Sequence, residues 1–384
     1  MILQDEKGAK HRQMVYLDYA ATSPVFPDVL DVMDAVSRDF YANPSSIYSI
    51  GYSAKKLLHE CRKTIATSMH SESDEIVFTS GGTEGNNLAL FGVLRASRQK
   101  KHFIVGSTEH HSVLAAAQAL TREGFSLSIL PCSSDGRYSA EALARMIRPD
   151  TALVCLQIAN NETGVLQPID EISAITREKR IPLHCDAVAA YGHIPLDVRA
   201  LKIDLLTASA HKMGGPKGVG FLYVRNEISL SPLFFGGSQE RGLRPGTENL
   251  PAIAGFQKAV ELSAVPASSL VRDRLEQLLT HHHPGAIVNG AGASRLPHIL
   301  NITIPDVPAE QLLPLLSAKG IYASARAACA SGERIPSHVL TAMGLSATES
   351  AETLRFSTGF GNKLSDADET SNAIDFAILN RFCT

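Results

Sequence analysis

Lys212 stands where the pattern around it leaves little room for a charge. The apolar run "IDLLTASA" (203–210) leads straight into His211-Lys212, a Gly-Gly-Pro turn follows, and a second apolar run, "VGFLYV", begins at Val219. That reads as strand, turn, strand with a lysine at the strand end. A lysine in such a desolvated place has its pKa lowered, and the neutral amine can condense with an aldehyde as a Schiff base. Lys217, just past the turn, is the rival amine and reads as a loop cation.

Two further stretches bear on what that aldehyde would belong to. "FTSGGTEGNN" (78–87) runs from a β-rich segment into Ser80-Gly81-Gly82-Thr83 and an apparent helix start. Glycine amides and a helix N-terminus attract an anion, and the Thr83 hydroxyl adds a donor. The same residues would also serve as a plain turn with a threonine cap. "PLHCDAVAAYG" (182–192) puts Asp186 at the end of an apolar strand. A buried carboxylate is costly unless paired; it either caps the next helix or keeps a cofactor ring nitrogen protonated. A phosphate cradle, a strand-end carboxylate and a strand-end amine, in that order, are the set that pyridoxal 5'-phosphate needs. His211, with His110 and His111 of "STEHHSV", offers groups for ring stacking or proton transfer.

The elements that must position these residues alternate. "EIVFTS", "HFIVGS", "FSLSILPC" and "ALVCLQIAN" are each followed by a helix-like segment. Strand-then-helix units at this spacing predict a mainly parallel sheet covered on both faces, with ligands at the carboxyl ends of its strands. After about residue 257 the texture changes to charged helices and short strands, which predicts a smaller α+β domain. The expected division is a large domain over 15–257 and a small one made of 1–14 and 258–384.

Bulk properties narrow the class. The 384 residues carry a net charge of -3, are 44% hydrophobic and 20% charged, and hold six cysteines without a CxxC. No basic field argues for nucleic acid, no apolar run is long enough to span a bilayer, and the cysteines make neither a disulfide framework nor a zinc site. The polar N-terminus lacks a secretory core. These features predict a cytoplasmic protein with free thiols and no bound metal. The His281–His283 run has no cysteine or carboxylate ligand beside it in sequence.

The chain resembles the cysteine desulfurases of the nitrogenase and iron–sulfur-cluster type, pyridoxal-phosphate enzymes with the aminotransferase-like fold type I. The resemblance runs through "VYLDYAATSPV", "NPSSIYSIG", "FTSGGTEGNN", "STEHHSV", "ANNETGVLQPI", "HCDAVAAYG", "SAHKMGGPKGVGFLYV", "GGSQERGLRPGTENLPAIAGF", "RAACASGERIPSHVL" and "LRFSTG". It implies roles for the matching positions. Lys212 would carry the cofactor, Asp186 would pair with its ring nitrogen, and His110 would stack on the ring and move protons. Gly82, Thr83, Ser209 and His211 would hold the phosphate, and Asn161 would lie near the ring oxygen and the substrate carboxylate. Arg355 would bind that carboxylate as a fork. Thr247 would reach the phosphate of a neighbouring subunit, which requires a homodimer.

The resemblance also picks out one cysteine. Cys155 and Cys185 read as small core residues in apolar strands, Cys61 lies in a helical pattern, Cys132 follows a strand, and Cys383 is next to the C-terminus. Cys329, in the small-residue stretch "ARAACASGERIP", matches the family's persulfide-forming cysteine, and Arg326 and Arg334 would favour its thiolate. L-Cysteine would give alanine and a Cys329 persulfide that passes to an acceptor protein. An iron–sulfur scaffold, a tRNA-thiolation enzyme and a DNA-modification system are all compatible with the sequence, and no direct nucleic-acid binding is expected. Selenocysteine lyase is the enzymatic alternative, and a weakly catalytic sulfur-transfer scaffold the other.

Three positions depart from the family pattern. Ala189 stands where a glutamine usually donates to the cofactor's ring oxygen. A lost hydrogen bond of ~1 kcal/mol, or about 3 if the acceptor stays dry, would slow the reaction roughly five- to 150-fold if it fell wholly on the barrier. Tyr48 replaces a usual histidine, and Arg326-Ala327 replace small residues before the cysteine.

Overall fold

The computed structural model describes residues 14–97, 99–263, 268–325 and 336–381. Among the described residues twelve strands follow in chain order: β1 Val15–Tyr16, β2 Ile76–Thr79, β3 His102–Gly106, β4 Ser126–Leu130, β5 Thr151–Gln157, β6 Leu183–Asp186, β7 Leu205–Ser209, β8 Gly220–Val224, β9 Ile287–Val288, β10 Ile299–Thr303, β11 Ile321–Tyr322 and β12 Thr353–Ser357.

Seven of them form one sheet in the order β2-β8-β7-β6-β5-β3-β4. All its pairings are parallel except the two made by β8. The expected mainly parallel sheet is therefore present, and β8 is its one reversed strand. Residues of β2, β5, β6, β7 and β8 are buried throughout, as a sheet with helices on both faces requires. One apolar core, with Val154, Leu156, Leu183, Leu206 and Phe221, lies on one face, and a second, with Leu90, Val105, Val113, Leu153 and Leu222, lies on the other.

The register brings the carboxyl ends of the parallel strands level. Gln157 pairs with Asp186, Asp186 with Thr207, and Ser209 with Gly220, which also pairs with Thr79. Each strand then turns at one rim. β2 runs into Ser80-Gly81 and the helix Gly82–Ala96, and β3 is followed by His110, which caps the helix His111–Arg122.

A third core lies around the antiparallel sheet β12-β10-β9 and the parallel pair β1-β11. Leu300, Ile302, Leu354 and Phe356 pack there with Leu275 and Ile374 from the helices Leu270–His282 and Leu364–Arg381. Val15 and Leu17 also enter this core. A bridge from Asp18 to Ser357 then carries the chain across to the rim of the large sheet.

The histidine run ends the helix Leu270–His282 and meets Asp375 of the last helix, with His282 Nδ1 at 2.6 Å and His283 Nε2 at 3.0 Å from its two oxygens. A carboxylate is thus near in space although none is near in sequence. No three candidate ligands among the described residues are arranged to hold a metal ion. Nor is any described helix long and apolar enough to cross a membrane.

Candidate active site

A cavity of about 170 Å³ opens at the rim. Lys212, Asp186, Gly82, Thr83, His110, Asn161, His211 and Arg355 all line it. These eight positions come from segments more than 270 residues apart at their extremes; the level strand ends bring seven of them to one rim, and Arg355 reaches it from β12 of the other sheet.

Gly82, just after Gly81, forms part of one wall. Gly81 has φ +147°, where side chains are strained, and a Cβ on Gly82 would meet Val188 Cγ2 at 2.6 Å. The Gly82–Ala96 helix starts here, so the amides of its first turn lack intrahelical partners and face an anion site. The Ser209 hydroxyl lies 3.5 Å from the place a Gly81 Cβ would occupy. Ser209 therefore lies beside the glycine turn and is not among the residues lining the cavity.

Asp186 is buried at the end of β6, yet it does not cap a helix. Its Oδ1 accepts from the Val188 amide at 2.9 Å, and its Oδ2 accepts from Asn86 Nδ2 at 2.7 Å. Lys212 closes a 3₁₀ turn after β7 and is half-buried. His211 beside it is pushed down to about 4, chiefly by burial and then by the charges of Lys212 and Lys217, so it is a neutral group. Burial likewise lowers His110, while Asp186 pulls it the other way.

Arg355 is 1% exposed. Its Nη1 donates to the Asn161 carbonyl at 3.0 Å and its Nη2 to Asp18 Oδ1 at 2.8 Å. Asp18 is held in turn by the Ser324 hydroxyl at 2.9 Å.

Ala189 also lines the cavity. The missing glutamine side chain is therefore missing from this wall. Tyr48 is exposed, and so is Thr247, which does not line this chain's cavity. Cys329, Arg326, Ala327, Arg334 and Cys383 lie outside the described residues.

The four described cysteines are Cys61, Cys132, Cys155 and Cys185. Burial raises every one of these thiols: Cys61 to about 12, Cys132 less, and Cys155 and Cys185 well above the usual range. Raised thiols are poor nucleophiles near neutrality.

Several residues that line or brace the cavity escaped the sequence reading: Asn86, Ser112, Gln157 and Asp18. Asn86 is four positions after Gly82, one helical turn on the same face, so the helical period did contain a signal for it. Asp18 lies in the quoted "LDYAAT" motif, but nothing local distinguishes its carboxylate from an ordinary turn residue.

The residues present fit pyridoxal 5'-phosphate: a glycine cradle at a helix N-terminus, a buried carboxylate with both oxygens accepting, and an amine on one cavity wall. Comparison with known proteins agrees. Residues 15–369 match the family described as aminotransferase class-V, and the chain belongs to that family. Within it the chain is 42% identical over 378 residues to the cysteine desulfurase IscS of Methanosarcina thermophila, covering 97% of this chain and 93% of that protein. Among solved structures it is similar to a NifS-like protein at TM-score 0.89 and 33% identity, covering 95% of this chain and 99% of that one. It is also similar to SspA in complex with cysteine at TM-score 0.82 and 35% identity, covering 89% and 98%. The chain is thus a member of the cysteine desulfurase group of class-V aminotransferases, with the pyridoxal-phosphate fold of that class.

Proposed function

We propose that this protein is a cysteine desulfurase that uses pyridoxal 5'-phosphate to take sulfur from L-cysteine, leaving alanine and a persulfide on Cys329. The observation that carries this reading is the convergence of Lys212, Asp186, His110 and Arg355 on one cavity beside a glycine cradle. The cofactor, when bound, draws electrons from the substrate's α-carbon and so makes its proton removable.

The chain's own residues supply the rest. Gly82, Thr83 and His211 would hold the phosphate, with Ser209 beside the glycine turn. Asp186 keeps the ring-nitrogen proton in place, and Asn161 borders the ring oxygen. Arg355 binds the substrate carboxylate through its planar fork, and Lys212 Nζ takes the α-proton. The Cys329 thiolate attacks the substrate sulfur; the carbon–sulfur bond breaks with its electron pair left on carbon, a sulfur–sulfur bond forms, and the carbon fragment takes protons from the Lys212 ammonium and solvent and leaves as alanine. No described cysteine competes for that step, because burial raises all four thiols.

A homodimer belongs to this reading. Ile47 is 96% and Phe235 90% exposed, each in a segment with other exposed aromatic residues, Tyr48 and Tyr52 in one and Phe234 in the other. Apolar surface of this kind favours a second copy, and Thr247 would then reach the partner's phosphate site. A cytoplasmic setting, the 15–257 domain boundary and delivery of the persulfide to an acceptor protein are parts of the same proposal.

The test is alanine release from L-cysteine with a reductant present. The wild type is expected to make alanine, and the Lys212→Ala and Cys329→Ala variants are not. A cofactor-loaded wild type that makes none would overturn the proposal and leave selenocysteine cleavage or a scaffold role to be tested with selenocysteine.

A further inference from the structure

Four side chains lining the cavity form one hydrogen-bonded chain with a fixed direction. Asn86 is buried in the helix Gly82–Ala96, and its Nδ2 lies 2.7 Å from Asp186 Oδ2 and 2.9 Å from Ser112 Oγ. Ser112 Oγ lies 2.8 Å from His110 Nδ1. The Ser112 amide also donates to the same Nδ1, at 3.1 Å, as part of the cap on the helix His111–Arg122.

The direction follows from the chemistry at each end. Asp186 Oδ2 is a carboxylate oxygen and accepts, so the Asn86 group facing it is the amide nitrogen. Turned the other way, Asn86 Oδ1 would face Asp186 Oδ2, acceptor against acceptor. The second Asn86 hydrogen then points at Ser112 Oγ, which accepts it and keeps its own hydrogen for His110. Nδ1 of His110 thus receives a backbone N–H and a hydroxyl hydrogen together. A backbone N–H cannot reverse its role, so Nδ1 holds a lone pair.

We infer that Asn86 and Ser112 are positioning residues that fix neutral His110 as its Nε2–H tautomer, which makes this side chain a hydrogen-bond donor to the cavity. This rests on the proposed function for what lies opposite that donor: Lys212 Nζ takes the α-proton and carries it as an ammonium, while His110 Nε2–H keeps its proton and donates a hydrogen bond to the charge that develops on the reacting substrate. The division removes an ambiguity, since imidazole with its proton on Nδ1 would instead be a second base.

The charged and titratable groups facing His110 are Asp186 from β6, Lys212 from the turn after β7, His111 from its own helix and His338 from the helix His338–Ala342. Ser112→Ala leaves the contacts of all four in place, so its effect on the His110 titration reports the chain itself, whereas Asn86→Ala also removes a donor from Asp186.

The test uses holoenzyme labelled with ¹⁵N-histidine and no substrate. Long-range ¹H–¹⁵N correlation near neutral pH is expected to show His110 protonated at Nε2. Ser112→Ala removes one donor to the lone pair of the neutral ring, so the His110 titration is expected to rise by about half to one pH unit. Asn86→Ala leaves the serine hydroxyl free to turn and is expected to give a smaller rise of the same sign. An Nδ1–H tautomer in the wild type, or no rise in either variant, overturns the inference. The wild-type spectrum decides even if a variant fails to fold. Neither readout depends on alanine release, so failure of the desulfurase reading would be seen separately.

Discussion

Asp18 and Arg355 form an ion pair across 337 residues of chain, Nη2 to Oδ1 at 2.8 Å, with the arginine side chain 1% and the aspartate 18% exposed. Removing one partner of such a pair leaves a charge with no compensation, and that costs more than the pair itself is worth. Asp18→Asn is therefore expected to destabilise the protein by about 1–3 kcal/mol, read from urea unfolding. L-Alanine, whose carboxylate can neutralise Arg355, is expected to recover more stability in the variant than in the wild type. Equal recovery in both would show that Arg355 does not bind the carboxylate.

The fork geometry of Arg355 gives a second expectation. Its Nη1 is already committed to the Asn161 carbonyl and its Nη2 to Asp18, so the guanidinium plane is fixed before substrate arrives. A lysine would bring a point charge without that plane. Arg355→Lys is expected to raise the KM for L-cysteine about ten- to 100-fold, the loss of one charge-assisted hydrogen bond. An unchanged KM with lower kcat would move Arg355 out of substrate binding.

Much of this site was legible because its residues sit at strand ends. Lys212 and Asp186 each follow an apolar run that only a buried strand explains, and Gly81-Gly82 precede a helix whose period is plain. Position along a strand converts directly into position at the rim. Ser112 and Asp18 were not legible for the opposite reason, and the helical period marks only the face on which Asn86 sits, not its partner. Their contacts are set by the packing of one element on another: Asn86 meets Asp186 across 100 residues, and Asp18 meets Arg355 across 337. The reversed strand β8 was hidden as well, because a fully buried strand reads the same in either direction.

Ala189 makes the cavity wall testable by addition. Its side chain ends at Cβ on a wall where the family pattern has an amide donor. Ala189→Gln is expected to raise kcat, by up to the roughly five- to 150-fold that one hydrogen bond can supply. A lower kcat would mean that another group already serves the ring oxygen and that the larger side chain displaces it.

Acid stability can be worked out from the buried histidines. His184 and His193 are each held down to about 4 by burial, and His298 lies well below the usual range for the same reason. Their folded values lie under the unfolded one of about 6.5, so the unfolded chain binds protons that the folded one refuses. Stability from these groups is complete above pH 6.5 and is lost as pH falls toward 4. Glu109 works in the other direction. Burial, reinforced by the Asp186 charge, raises it well above the carboxylate range, so it holds a proton in the folded state and releases it on unfolding above about pH 4.5. Three protons taken up against one released leaves a net uptake of up to two between pH 4.5 and 6.5 from these four groups. Urea midpoints are expected to fall over that window. His184→Asn is expected to flatten the fall by up to one proton, since His184 bonds only the neutral partners Cys155 and Thr207. A midpoint that holds steady from pH 6.5 to 5 would show that these imidazoles are reached by water and charged in the folded protein.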